Sequence, residues 1–291
     1  MKLSRRNFII NTSIVAATVC LIPSLAFASN KKTIGLQLYT LRDELPKDVK
    51  GTLEKVALAG YTEVELYGFS IKDKFWGLSP QELKKLLDTN GLKAVSGHYE
   101  LGMFLSDGNT TELEAAIKAA KILKNEYITI PWLHESIRKS ADDYKKIASL
   151  LNKAGDMCKA AGLKLAYHNH DFEFKKYGDI AGYEILLKET DKNLVYFEMD
   201  LYWMAYSKID PIQLFKQNPG RFTMWHVKDM DKSNATLNTE IGSGVIDFKS
   251  IFAEAKLSGM KHFFVEQETN YKPNAIESVK TSCKFIEKEL I

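Results

Sequence analysis

Four apolar segments in the second half of the chain each end in side chains that bind metal ions in proteins. The segments are 164–170, 194–200, 222–226 and 262–268, and the side chains at their ends are His168 and His170, Asp200, His226, and Glu266 and Glu268. A mixed set of imidazole and carboxylate ligands suits Mn, Co, Zn, Mg or Fe, and the residue types do not choose among these metals. Four such ends in succession predict one divalent metal ion, held where four strands end.

A metal ion with an open coordination position could bind a sugar through its carbonyl and hydroxyl oxygens and make a neighbouring proton easier to remove. A carboxylate or a lysine beside the ion would move that proton. Lys228 and Glu268 are candidates for this role or for contact with the substrate. Glu198 competes with Asp200 as a ligand, because residues two apart in a strand face the same side. Asp200 is preferred because it lies nearer the strand end.

The elements that must position these residues alternate strictly along the chain. Apolar runs predict strands at 33–39, 62–67, 92–98, 126–131, 163–170, 194–200, 222–228 and 262–268. Helices are predicted at 47–59, 80–89, 110–123, 140–160, 180–189, 210–217, 247–257 and 273–289. Eight such units predict an α/β fold, a single (β/α)8 TIM barrel, with its active site at the carboxyl ends of the strands.

The first half of the chain supplies weaker candidates for binding a substrate. Gln37, Glu65 and His98 end the first three predicted strands, and Trp132 and Trp203 follow the fourth and the sixth. For Glu65 and His98, a structural hydrogen bond explains the residue as well as a place in the site does. The two tryptophans could offer apolar faces to a sugar ring.

The first 28 residues have the pattern of an export signal of the twin-arginine type. Arg5 and Arg6 precede the apolar stretch 14–27, and Ala-Phe-Ala at 26–28 is a small-residue cleavage site. A single membrane anchor is the alternative, but the stretch is short for a span and contains a proline. We therefore expect a domain at 29–291 that is exported to the periplasm, with no stable membrane anchor after cleavage.

Removing the signal would also remove the net charge. The formal charge of +3 comes from Lys2, Arg5 and Arg6, and 40 basic residues less these three equal the 37 acidic ones. A neutral chain offers nucleic acid and anionic membranes no basic surface. The expected partner is a small-molecule carbohydrate, with a homo-oligomer left open. Cys158 and Cys283 lie at apolar helical positions and are expected to be buried, with a disulfide also left open.

Several motifs together resemble the xylose-isomerase-like TIM barrels of the sugar phosphate isomerase/epimerase superfamily. They lie at 34–39, 59–65, 167–174, 226–229, 241–248 and 265–268. The resemblance implies a metal site with Glu, Asp, His and Glu ligands from the last four strands. Asp200, His226 and Glu266 match the last three positions, and His168 stands where the superfamily often has Glu. The implied ligands are His168, Asp200, His226 and Glu266, with His170 as the other candidate for the first position.

The resemblance also implies an activity. It is a metal-dependent isomerase or epimerase that abstracts a proton next to the carbonyl of a carbohydrate or keto-sugar, and export argues against a phosphorylated one. In relatives with two glutamate ligands, both can act as acid and base. Because His168 replaces one of these glutamates, another group must carry out part of the proton transfer. The candidates are Glu266, His170, Glu173, Lys228 and Glu268. The alternatives are a lyase that eliminates the aglycone of a 3-keto-glycoside and a barrel that binds a sugar without catalysis.

Overall fold

Eight short strands form the centre of the part of the chain that the computed structural model describes, residues 33–291. They are β1 (Gly35–Gln37), β2 (Glu63–Leu66), β3 (Lys93–Gly97), β4 (Tyr127–Ile130), β5 (Lys164–His168), β6 (Val195–Asp200), β7 (Met224–Val227) and β8 (His262–Val265). Neighbouring strands pair in parallel, and β8 pairs with β1. Between β3 and β4 the ring is closed by a bridge from His98 to Thr129 and by the hydrogen bond from Tyr99 N to Thr129 O, 2.9 Å long. The closed (β/α)8 barrel confirms the predicted fold.

Helices connect the strands. They are α1 (Val49–Leu58), α2 (Pro80–Thr89), α3 (Gly102–Asp107), α4 (Thr111–Leu123), α5 (Ala141–Ala160), α6 (Gly182–Glu189), α7 (Leu201–Tyr206), α8 (Pro211–Gln217), α9 (Phe248–Ala253), α10 (Ala255–Ser258) and α11 (Ala275–Glu289). The eight predicted helices are present, and the one at 247–257 is divided into α9 and α10. Sequence analysis missed α3 and α7, because six residues are too few to display a helical period.

Local signals account for where several elements begin and end. Ser79 and Glu82 form a capping box at the start of α2. The helix α10 ends at Gly259, whose φ of 87° lies in the left-handed region that glycine favours. The first strand is shorter than predicted because Oε1 of Gln37 accepts a hydrogen bond from Tyr39 N at 2.9 Å, which starts a 3-10 turn.

The barrel interior has an apolar floor and a polar upper end. Five buried side chains form the floor: Val95, Tyr127, Ala166, Met224 and Phe264. Three short hairpins, in the loops after β2, β5 and β7, lie beyond the carboxyl ends of the strands. The space between floor and hairpins is where a barrel of this kind places its active site.

Two further expectations concern the helices and the N-terminus. Cys158 and Cys283 are buried in α5 and α11, as expected of small hydrophobic side chains. Within residues 33–291, no helix is both long enough and apolar enough to cross a membrane. The expected signal peptide, 1–28, lies outside the described residues.

Candidate functional site

The ends of β5, β6 and β7 and the residue after β8 bring the four sequence-predicted metal ligands together. His168, Asp200, His226 and Glu266 are all buried. Nε2 of His168 lies 3.9 Å from Oδ2 of Asp200, and Nδ1 of His226 lies 3.1 Å from Oε2 of Glu266. Asp200, His226 and Glu266 each have one ligand atom within 4.8 Å of those of the other two. Atoms at such spacings can share one ion.

Asp200 is held in place by the unpredicted helix α7. Its Oδ1 caps the helix by accepting hydrogen bonds from Tyr202 N at 2.8 Å and Trp203 N at 3.0 Å. The other oxygen, Oδ2, is buried and has no hydrogen-bond partner among the described residues. A buried carboxylate oxygen without a partner destabilises the fold. A cation beside Oδ2 would remove that cost, so these residues fit a divalent metal.

Lys228 supplies a fixed positive charge at the edge of this cluster. Its Nζ donates to Oε2 of Glu266 at 3.1 Å and to Oε1 of Glu268, and lies 3.8 Å from Oδ2 of Asp200. Burial opposes the charge, but Glu266, Glu268 and Asp200 raise the pKa of Lys228 above its usual value. Lys228 is therefore an ammonium group, which can donate a proton or a hydrogen bond but cannot accept one.

A second layer of charged side chains lies beneath the predicted ligands and reaches both histidines. Nε2 of His226 lies 2.7 Å from Oε2 of Glu65, and Nδ1 of His168 lies 3.2 Å from Oε2 of Glu198. His98 joins the two carboxylates, with its Nε2 2.8 Å from Glu198 and 3.2 Å from Glu65. Histidines that bind metals commonly have a carboxylate at the other ring nitrogen, which fixes the ring and its tautomer. Glu65 occupies that position at His226, and Glu198 lies beside Nδ1 of His168 without a hydrogen bond to it.

The same layer offers an overlapping set of ligands. One atom each of His98, His168, Glu198 and His226 lie within 4.8 Å of one another. Because His226 belongs to both sets, the two positions would compete for one ion. Three imidazoles with a carboxylate suit Zn, whereas the set that contains Asp200 is richer in oxygen. Oδ2 of Asp200 in the upper set and Oε1 of Glu198 in the lower set are both buried without a hydrogen-bond partner, so each position offers an ion an unpartnered carboxylate oxygen.

The charges within this layer balance one another. Burial opposes a charge on Glu65, but His98 and His226 lower the pKa of Glu65 below its usual value. Burial and the neighbouring Glu65 raise the pKa of Glu198 to about 7. Burial opposes a charge on His98, but Glu65 and Glu198 raise the pKa of His98 to about 9. Imidazolium and carboxylate charges therefore offset each other, which lowers the cost of burying them.

The two histidines of 168–170 differ in position. Burial lowers the pKa of His168 well below its usual value, and burial with the nearby Lys228 lowers the pKa of His170 to about 3. A neutral ring keeps the lone pair that a metal ligand or a proton acceptor needs. His168 faces Asp200, whereas His170 packs edge-on to Trp132, with 4.7 Å between the ring centres. This arrangement favours His168 as the ligand and turns His170 toward the open cavity that both histidines line.

A cavity of about 500 Å³ adjoins the cluster of candidate metal ligands. Its lining residues are Tyr39, Tyr67, Gly68, Phe69, Ser70, His98, Glu100, Pro131, Trp132, His168, His170, Glu266 and Glu268. The volume is typical of small-molecule sites. Aromatic rings beside carboxylates and histidines suit the apolar faces and hydroxyl groups of a sugar. None of these described lining residues is Lys or Arg.

Of the five residues predicted to bind substrate, two line the cavity and three do not. His98 and Trp132 line the cavity. Gln37 and Glu65 instead lie fully buried beneath it, where Nε2 of Gln37 donates to Oε2 of Glu65 at 2.7 Å. Trp203 is not among the described lining residues. Alternation along a strand gives the side on which a residue lies but not its depth, and Glu65 makes the structural hydrogen bond that the sequence had left as its alternative role.

Several lining residues were not predicted. Glu100 lies two residues after His98, so the alternation could have indicated it. Phe69 and Ser70 belong to a hairpin that no sequence pattern predicted. Glu173, one of the candidates for proton transfer, does not line the cavity; it accepts from Tyr167 Oη at 2.6 Å.

The loop 240–247, which follows the strand β7 and its hairpin, is built around Asp229. The carboxylate of Asp229 accepts hydrogen bonds from Gly242 N and Gly244 N, both at 2.9 Å, and from Ile246 N at 3.2 Å. A Cβ on Gly244 would lie 2.2 Å from Oδ1 of Asp229, so the loop requires glycine there. The amide groups of Gly242, Gly244 and Ile246 therefore already donate their hydrogen bonds to Asp229.

The fold and the cluster at the strand ends define a class of protein, the TIM barrels that act on sugars through side chains at the carboxyl ends of their strands. The sequence model of the xylose isomerase-like TIM barrel family matches residues 53–289. The chain belongs to this family.

Similar proteins include both lyases and isomerases by name. An inosose dehydratase from Lacticaseibacillus casei is 24% identical over 281 residues, covering 84% of this chain and 91% of that protein. A crystal structure described as a sugar phosphate isomerase/epimerase from Parabacteroides distasonis is 30% identical, with a TM-score of 0.80, covering 91% of this chain and 97% of that one. The structure of an IOLI protein with a bound zinc atom shares the fold, with a TM-score of 0.68, 17% identity, and coverage of 88% of this chain and 97% of that one. The chain is therefore similar to sugar-modifying enzymes of more than one reaction type.

Proposed function

We propose that the protein removes a proton from the carbon next to the carbonyl group of a non-phosphorylated keto-sugar and returns it to give an isomer or epimer. The observation that carries the proposal is the buried cluster of histidines and carboxylates, with the unpartnered oxygen of Asp200, beside a sugar-sized cavity. His168, Asp200, His226 and Glu266 would hold a divalent metal. Such an ion, when bound, would polarise the carbonyl oxygen and acidify the neighbouring C–H bond.

The chain's own groups for moving the proton come from different strand ends. Glu268, after β8, and His170, after β5, both line the cavity. The carboxylate of Glu268 can accept a proton, the ammonium group of Lys228, paired with Glu268, can donate one, and the neutral imidazole of His170 can accept a hydrogen bond from a substrate hydroxyl. Groups that approach from two sides suit removal of a proton and its return at a second position or on the other face.

Two observations support a substrate without phosphate. The described residues that line the main cavity include carboxylates and histidines but no Lys or Arg. The amide groups of the loop 240–247, which could otherwise hold a phosphate, donate to Asp229. Export of the chain, which we also propose from the pattern at 1–28, agrees with this choice, because sugar phosphates are substrates of the cytoplasm.

Elimination is the second candidate, and the names of the curated relatives favour it. A dehydratase begins with the same step, removal of a proton next to a carbonyl. A hydroxyl or glycosidic oxygen on the adjacent carbon then leaves with the bonding electrons and takes up a proton, and a carbon–carbon double bond forms. The residues assigned above would serve both reactions, and only the fate of the intermediate differs.

Deuterium exchange tests the shared first step. The protein, supplied with Mn²⁺, Co²⁺ or Zn²⁺ in D₂O, is incubated with an inosose, a ketohexose and a methyl 3-keto-glucoside and followed by proton NMR. We expect loss of the C–H signal next to the carbonyl of at least one compound, and the products distinguish isomerisation from elimination. Asp200→Asn should reduce exchange at least a hundredfold and lower the metal content measured by mass spectrometry. No exchange with any of the three compounds, or full activity in a metal-free protein, contradicts the proposal.

A further inference from the structure

A second cavity, of about 360 Å³, lies beside the main one. The two cavities have Glu100 and Trp132 in common. The described residues that line the second cavity include none of the predicted metal ligands and neither Glu268 nor His170. The proposed chemistry therefore leaves this cavity unused, although it opens directly beside the site.

Trp132 stands where the two cavities meet. Its side chain is 47% exposed, yet the ring is held on one side by neighbours. The ring centres of His170 and Phe172 lie 4.7 and 4.8 Å away, and the guanidinium carbon of Arg138 lies 5.6 Å away. An exposed indole leaves apolar surface in water unless something covers it. A fixed ring with an open side is a platform on which a flat ligand can pack.

The second cavity is apolar on one wall and polar at its edge. Leu101, Leu105 and Ile137 form the wall, and Ser106 and Glu112 are among the polar lining residues. The described lining residues include Glu100 and Glu112 but no Lys or Arg, which disfavours a phosphate or carboxylate group. This chemistry suits a neutral ring that has an apolar face and polar substituents.

We infer that the second cavity binds the aglycone of a glycoside whose sugar ring occupies the main cavity. The inference rests on the proposed function, because it places the reacting sugar beside the metal cluster. Trp132 and Glu100 line both cavities, so the cavities meet at these two side chains and one molecule can extend from one into the other. The substrate class is then a neutral glycoside with a ring-shaped aglycone rather than a free monosaccharide.

Titration calorimetry with methyl and phenyl β-D-glucopyranoside measures what the second cavity adds to binding. Both compounds lack the ketone and are not converted, and they differ only in the aglycone. We expect the phenyl glucoside to bind at least tenfold more tightly, because its ring would cover Trp132 and the apolar wall.

Ser106→Trp, in the last turn of α3, should fill the cavity and abolish the advantage of the phenyl glucoside while leaving the affinity for the methyl glucoside unchanged. Thr89→Trp is a matched control, because Thr89 ends α2 outside both cavities. Its hydroxyl donates to a carbonyl of its own helix, as that of Ser106 does. This variant should behave like the wild type.

Equal affinities for the two glucosides, a phenyl advantage that survives Ser106→Trp, or no binding of either compound would overturn the inference. The exchange assay reports separately on the proposed function. Exchange of a keto-sugar without any phenyl advantage rejects only the second cavity. A phenyl advantage that Ser106→Trp abolishes, in a protein that exchanges no proton, supports the cavity and rejects the chemistry.

Discussion

At the scale of single residues, His168 stands where the superfamily often has Glu, and a glutamate of the neighbouring strand, Glu198, lies beside it. A neutral His168 in place of the usual Glu removes one negative charge from the ligand set. Glu198 pairs in register with His168 and places a carboxylate oxygen 3.2 Å from Nδ1 of its ring. An imidazole backed by a carboxylate is a better metal ligand than an isolated one. Glu198, when ionised, therefore offsets part of the charge that His168 lacks, and burial with Glu65 raises its pKa to about 7.

Glu198→Gln is expected to weaken metal binding about 10- to 100-fold, because Nδ1 of His168 would lose the carboxylate that lies beside it. Competition with a chelating dye measures the affinity, and the absorption spectrum of the Co²⁺ form reports whether the ligand set is kept. Glu100→Gln removes a carboxylate that lines the cavity without an ion pair to either histidine, and it should bind metal like the wild type. Unchanged affinity in Glu198→Gln would contradict this role, and a Co²⁺ spectrum that loses a ligand would instead make Glu198 a direct ligand.

At the scale of elements, the sequence predicted which strands and helices form but not how deep their residues lie. Apolar runs predicted the eight strands correctly, because both faces of each strand are buried and both must be apolar. Gln37 and Glu65 were candidates for binding substrate, with a structural hydrogen bond as the alternative for Glu65, and both are fully buried and absent from the cavity lining, since a period of two carries no information about height along the barrel axis. Asp200 was recognised as a ligand from its place at a strand end. Its second role, capping α7, escaped notice because six helical residues give no clear period.

The turn after β5 gives a prediction about stability. Glu173 is fully buried there, and it accepts from Tyr167 Oη at 2.6 Å and from His170 N at 2.9 Å. Burial raises the pKa of Glu173 to about 8, against roughly 4.3 in an unfolded chain. Because the folded pKa is raised, the stabilisation by this group is complete below about pH 4.3 and is lost as pH rises through 8.

Glu173→Gln should therefore reduce the loss of stability between pH 5 and pH 8, by as much as a few kcal/mol at about 1.4 kcal/mol per pKa unit. Urea unfolding of both proteins at several pH values measures the difference in the free energy of unfolding. Glu54→Gln, at an exposed position on α1, controls for the loss of one carboxylate. Parallel stability curves for Glu173→Gln and the wild type would show that Glu173 stays ionised in the folded protein.

At the scale of the whole molecule, residues 33–291 contain every strand of the closed barrel and every residue of the candidate site. The three basic residues of the segment 1–28 are the source of the formal charge of +3. Paired arginines before an apolar stretch are typical of an export signal, and we propose that this segment is removed. This division explains why the charge of the whole chain is a poor guide to the surface of the barrel.

Export by the twin-arginine route predicts a mature chain that begins at Ser29, because cleavage would follow Ala-Phe-Ala at 26–28. Cell fractionation with mass spectrometry of the N-terminal peptide tests this directly. Lysine keeps the charge but not the guanidinium groups that the signal requires, so replacing Arg5 and Arg6 together by Lys should leave an uncleaved precursor in the cytoplasm. Lys2→Arg, which alters a basic residue outside the pair, should be processed normally. An uncleaved wild-type chain in the membrane fraction would instead identify the segment as an anchor, and the argument from export against a phosphorylated substrate would then be lost.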